Sequence, residues 1–245
     1  MLLQGPRAGR REAARYRRLP DTGDDSWSFH NRFVGNHVLY GGGALGEGSG
    51  RASLVVAPVA GGRASVLPLA HAVERIEALG SDALVVGGNA RQGLGFTAVD
   101  LRGPQARLGD LFTLPAASEG ETRSHAFFFR PTTPDGASGI VGLPVGRPVG
   151  EAYERFFGSA VSMLFLLRDD RRFADGGLLD AHVEGTVDDG CQASCTDWYG
   201  NARPIFLGGR VFALLGYELV EGRLESGRIR EIARISFAPR GAARP

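Results

Sequence analysis

Five arginines recur in a similar setting along the chain. Arg32 opens "RFVGNHVLYG", Arg75 opens "RIEALGSDALVVGG", Arg155 opens "RFFGSAVSMLFLL" and Arg203 opens "RPIFLGGRVFALLG". Arg123 opens a degenerate copy, "RSHAFFFRPTTPDGASGIVGLPV", in which a longer loop replaces the turn. A guanidinium is a planar fork of donors that suits carboxylate, sulfate or phosphate. Brought to one place, the five would form an anion funnel; the competing reading is that each clasps a carboxylate or carbonyl of a neighbouring unit. His30, His71 and His125 lie near three of these arginines, so their imidazoles could meet around Zn, Cu or Fe. Their offsets are unequal, which favours separate hydrogen-bonded histidines.

Other candidates are weaker. Cys191 and Cys195 share the polar loop "DDGCQASCTDW" and read as a local disulfide worth about 2 kcal/mol on the chain-entropy estimate, with free thiols as the alternative. Such a bond points to an oxidising compartment, and with no second Cys pair a zinc site would be incomplete. The acidic clusters Asp21, Asp24 and Asp25, Asp169 and Asp170, and Asp188 and Asp189 offer oxygens to Ca²⁺, but they lack EF-hand spacing and read as turns. The glycine-rich stretch from Gly41 to Arg51 lacks the lysine of a phosphate loop. All 28 basic residues are arginine, so chemistry that needs a lysine is excluded. Trp27, Phe29, Trp198 and Tyr199 stand just before openers, where they would stack on a ligand if exposed and fill space between units if buried.

The elements that would position these residues are strands. Each copy reads as a strand, a turn that Gly makes without a Cβ clash, and a second strand. "DALVVGG", "VSMLFLL" and "RVFALLG" are unbroken apolar runs, as expected of strands covered on both faces. Weaker strands lie between them in "RASLVVAPV", "GFTAVDLRG" and "AHVEGTV"; only Ala72–Leu79 would tolerate a helical turn or two. The Arg-to-Arg spacings of 43, 48, 32 and 48 residues suit the four short strands of a β-propeller blade. The expectation is an all-β chain, a β-propeller of about five blade equivalents over residues 21–245, after an arginine-rich tail over residues 1–20 read as disordered. A net charge of +1 gives no overall field for nucleic acid, and no apolar run is long enough to span a membrane.

These stretches resemble a family of bacterial and archaeal secreted proteins with a C-terminal β-propeller distantly related to WD40 repeats. "RFVGNHVLYG" looks like the family's blade opener. The run from "AHAVERIEALGSDALVVGGN" through "GFTAVDLRG" and "SHAFFFRP" to "SGIVGLPV" is similar to its central blades, and "RPIFLGGRVFALLGYELVEGRLESGRIREIARISF" to its closing blade. The resemblance implies an extracellular or cell-envelope location and no established reaction. Family members are usually longer and exported, so a partial or truncated propeller is expected here, completed by missing blades or by another copy.

Two functions follow as expectations. The first is a non-catalytic scaffold or binding module, without a cofactor, that takes a protein or polyanionic glycan at a propeller mouth. The alternative is a metal-dependent hydrolase or lyase built on His30, His71 and His125.

Overall fold

The computed structural model describes residues 17–22, 28–43, 52–89, 91–147, 160–182 and 202–237. They form four antiparallel sheets, each a meander that follows the chain. The first sheet holds β1 (Phe29–Val34), β2 (His37–Gly42), β3 (Ala52–Pro58) and β4 (Ser65–Leu69). The second holds β5 (Arg75–Leu79), β6 (Asp82–Asn89), β7 (Gly93–Asp100) and β8 (Arg107–Leu114). In the third, β9 (Ser118–Glu119) and β10 (Phe128–Pro131), separated by a 3-10 turn at Ser124–Ala126, both pair with β11 (Gly139–Arg147). β12 (Ala160–Asp169) and β13 (Arg172–Asp180) complete it. The fourth comprises β14 (Ala202–Leu207), β15 (Arg210–Leu215), β16 (Glu218–Glu225) and β17 (Arg228–Ser236).

Glycine turns start three of the sheets. Gly35, Gly80 and Gly208, at φ of 54°, 64° and 55°, take the left-handed conformation that a side chain resists, and each joins the first strand of a sheet to the second. The copies at Arg32, Arg75 and Arg203 are therefore first hairpins. The other two are not. "RFFGSAVSMLFLL" leads into β12, the third strand of the third sheet, and Arg123 lies between β9 and β10 of that same sheet. Two of the five expected units thus fall in one sheet, and the described residues form four. The physical reason is that an apolar run after Gly is as compatible with a third strand as with a second. Ala72–Leu79, where a helical turn was tolerable, holds no helix: it is a short connection that bends at Glu74 and runs into β5.

Strand periodicity of two explains the unbroken apolar runs. In β6, Ala83 and Val85 face the first sheet, where they join Leu39, Leu54 and Val56. Their neighbours Leu84 and Val86 face the third sheet, where they join Leu143, Leu164 and Leu166. In β12 the alternation continues: Met163 and Phe165 turn to the fourth sheet and meet Val211, Ala213 and Val220. Three apolar layers therefore hold four sheets, and each fully buried Leu or Phe contributes about 1.5–3 kcal/mol. "RVFALLG" departs from the expectation of two covered faces. Val211, Ala213 and Leu215 are buried, but Phe212 and Leu214 on the other face are only half-buried.

Candidate functional site

The arginines of the first-strand motif do come together in part, but with carboxylates. β5 places Arg75 and Glu77 two residues apart, so both side chains leave the same face. Arg75 Nη1 donates to Glu77 Oε1 at 3.0 Å, and its Nη2 donates to the carbonyls of Glu121 (2.9 Å) and Arg123 (3.1 Å). Its Nε donates to Glu119 on β9, so this buried guanidinium fastens the second sheet to the third. Arg32 of β1 reaches Glu77 Oε2 at 2.9 Å, tying in the first sheet. Arg123 binds Glu121 through two side-chain nitrogens, each at 3.0 Å.

Arg32 and Arg75 do not occupy equivalent places. Counted back from the glycine turn, Arg32 pairs with Leu39 as Glu77 pairs with Leu84 and Ile205 with Phe212. Arg75 is instead matched by His30 and Arg203. Arg203 belongs to the fourth sheet and takes no part in the cluster, and Arg155 lies outside the described residues. Each of the three guanidiniums is paired with a carboxyl group, Glu77, Glu119 or Glu121, and a fourth carboxyl, Glu74, lies close enough to act on Glu119.

Burial dominates the acid–base character here. Glu119 is pushed up to about 7, chiefly because its carboxyl is desolvated; Arg75 opposes that shift, and the nearby carboxylates of Glu74 and Glu77 add to it. Its Oε2 is buried with no hydrogen-bond partner among the described residues. Glu77 is also raised by burial, against the pull of Arg32 and Arg75. For Glu121 burial pushes upward, but the hydrogen bonds from Arg123 prevail and hold the carboxyl below its ordinary value.

A second charged cluster closes the same pair of sheets at the opposite rim. Asp82, buried at the start of β6, accepts from Arg168 Nη2 and lies 3.2 Å from Arg171 Nε and 3.6 Å from Arg102 Nε. Arg168 also donates to the carbonyl of Leu79 at 3.3 Å, and its ring-side neighbour is Phe173, 5.9 Å from the guanidinium carbon. Arg171 goes on to Asp135, and Arg102 to both oxygens of Asp100 at 2.9 and 2.7 Å. The pair Asp169 and Asp170 belongs to the β12–β13 turn, where Asp170 and Arg171 hold φ of 43° and 66°. Two side-chain-bearing residues in that conformation are strained, and the anchoring of Arg171 to Asp82 and Asp135 opposes that strain.

His71 is a core histidine. Its Nδ1 donates to the carbonyl of Ala72 at 2.8 Å, and its Nε2 accepts from the Thr97 hydroxyl at 2.7 Å. Both ring nitrogens are engaged, and burial lowers its pKa, so the ring stays neutral. Gly95 opposes it because a Cβ there would fall on the imidazole. His30 is half-buried on β1 and its pKa is lowered, first by burial; His125 sits in the 3-10 turn. The described residues contain no group of three or more His, Cys, Asp or Glu arranged to hold a metal, so the three histidines do not converge. Cys191, Cys195, Trp27, Trp198, Tyr199, Asp24, Asp25, Asp188 and Asp189 lie outside the described residues.

The carboxylates are what the arginine motif alone did not reveal. Their signal was spacing: Arg75-x-Glu77 and Glu119-x-Glu121-x-Arg123 place opposite charges at the strand period of two. No protein-family model matches the chain, and comparison with curated proteins finds no match.

Proposed function

We propose that the chain is a non-catalytic β-propeller scaffold, a binding module for a protein partner at the cell envelope. Two features support the propeller arrangement. First strands adjoin in series, β1 beside β5, β5 beside β10 and β10 beside β14, as blades around one line would have them. Arg32 and Glu77, at equivalent places of consecutive sheets, touch at 2.9 Å. The envelope location rests on the resemblance to secreted propeller proteins.

The observation that carries the non-catalytic reading is the use of the arginines. Arg32, Arg75 and Arg123 are matched by Glu77, Glu119 and Glu121, which leaves little net field for a polyanionic glycan and favours a protein ligand. The metal-dependent hydrolase or lyase reading would need His71, whose ring nitrogens already bond Ala72 and Thr97.

Heparin titration with the Arg75→Gln variant, together with elemental analysis, tests this reading. A clasp predicts no heparin binding at physiological salt and a Tm about 10 °C lower in the variant. Heparin binding that weakens in Arg75→Gln at unchanged Tm, or a stoichiometric transition metal lost in His71→Ala, would overturn it.

A further inference from the structure

Within the chain, each sheet that has a successor covers one face with it. The first sheet presents Leu39, Leu54 and Val56 to the second, the second presents Leu84, Val86 and Phe96 to the third, and the third presents Met163 and Phe165 to the fourth. The corresponding face of the fourth sheet has no covering sheet among the described residues. By strand pairing it carries one row of Arg203, Leu214, Leu219 and Ile235 and another of Ile205, Phe212, Glu221 and Ala233, with Leu207 beside the glycine turn. Leu207 is 68% exposed and Ile235 64% exposed. Leu207 stands where Val34 and Leu79, both buried, stand in the first two sheets.

At the other end, the outward face of the first sheet is covered only in part. Residues 17–22 lie over its middle strands: the Tyr40 hydroxyl donates to the carbonyl of Pro20 at 2.5 Å, and Arg17 donates to the carbonyls of Pro58 and Gly62. Phe29 and Phe33 on β1 remain 58% and 69% exposed. The two uncovered surfaces are therefore complementary kinds: a face that elsewhere receives a following sheet, and a first strand that would follow.

Arg203 adds a polar mark. Its equivalent, Arg75, reaches forward to a carboxylate and two carbonyls of the next sheet, whereas Arg203 has no partner among the described residues. We propose that the fourth sheet docks the first sheet of a second copy, with β14 beside the partner's β1. Two such head-to-tail contacts close a ring of eight sheets, within the four to eight blades that propellers use. This rests on the propeller arrangement but not on the choice of ligand.

Native mass spectrometry and light scattering of the full chain test it. The wild type should be a dimer at micromolar concentration. Leu207→Glu with Ile235→Glu should be monomeric, and so should Phe29→Glu with Phe33→Glu, each retaining the wild-type circular dichroism because the altered side chains are exposed. Mixing the two monomeric variants should restore a dimer through the one intact contact, a result that a fourth-sheet-to-fourth-sheet interface would not give. Arg203→Gln should weaken dimerisation about tenfold. A monomeric wild type, a dimer indifferent to the β1 variant, failure of the mixed variants to associate, or growth into polymers would overturn the closed pair. None of these outcomes bears on heparin or metal binding, so failure here is separate from failure of the scaffold reading.

Discussion

The contact between the second and third sheets differs in kind from that between the third and fourth. The former is closed at both rims by buried ion pairs, Arg75 with Glu119 at one and Arg168 with Asp82 at the other. The latter has a similar apolar layer, but its cross-sheet ion pair, Arg228 to Asp175 at 2.8 Å, stands in solvent. Cover accounts for the difference. The second and third sheets have neighbours on both sides, so charges at their rims are desolvated and must be matched, whereas beside the fourth sheet the Arg228–Asp175 pair stays wet and Arg234, which reaches the carbonyl of Asp180 at 2.8 Å, finds its carboxylates within its own sheet. A buried pair is therefore no proof of extra stability, because its desolvation cost offsets much of the attraction. It does make the contact intolerant of losing one partner.

That contrast can be broken by single substitutions. Asp82→Ala leaves Arg168 buried without its carboxylate and should cost about 4 kcal/mol, lowering Tm by about 12 °C in calorimetry. Adding Arg168→Met should recover most of the loss; an Asp82→Ala protein as stable as wild type would remove the distinction between the two contacts. A smaller effect is expected from Glu119. Its folded pKa of about 7 is raised from 4.5, so the stability it contributes is complete below about pH 4.5 and is lost as pH rises through about 7. The Tm of wild type relative to Glu119→Gln should accordingly fall by about 8 °C between pH 4.5 and 7.5. His71 titrates in both proteins and cancels in the difference, whereas Glu77 is coupled to Glu119, so its own titration contributes to the difference. The smallest change should come from Arg228→Ala, an exposed pair worth under about 1 kcal/mol, with Tm moving by less than about 3 °C.

The strands were legible because their residues obey local rules. Gly35, Gly80 and Gly208 announce turns, and the runs in β6 and β12 announce strands buried on both faces, whereas the run in β15 announces a strand but not its half-open face. The grouping of strands into sheets was less legible, since nothing local to Arg155 or Arg123 distinguishes a first strand from a third or from an interrupted one. The candidate site was read only by halves. Its arginines stood out as a pattern, but Glu119 and Glu121 lie more than forty residues from Arg75, and which carboxylate meets which guanidinium is decided by how the sheets stack. The cluster around Asp82 was hidden for the same reason, being assembled from turns of two sheets.

The alternation along β6 has a consequence for how such a chain can change over generations. One inserted residue ahead of Val85 would exchange the occupants of its two surfaces, sending the larger Leu84 or Val86 into space fitted to Ala83 and Val85, and both adjoining layers would fail together. A whole four-stranded unit, by contrast, can be gained or lost with every remaining side chain still on its own side. Within a strand covered on both faces length is quantised: change comes readily by a module, and a single residue is absorbed only at a turn or at a bulge such as those between β7 and β8, β12 and β13, and β16 and β17.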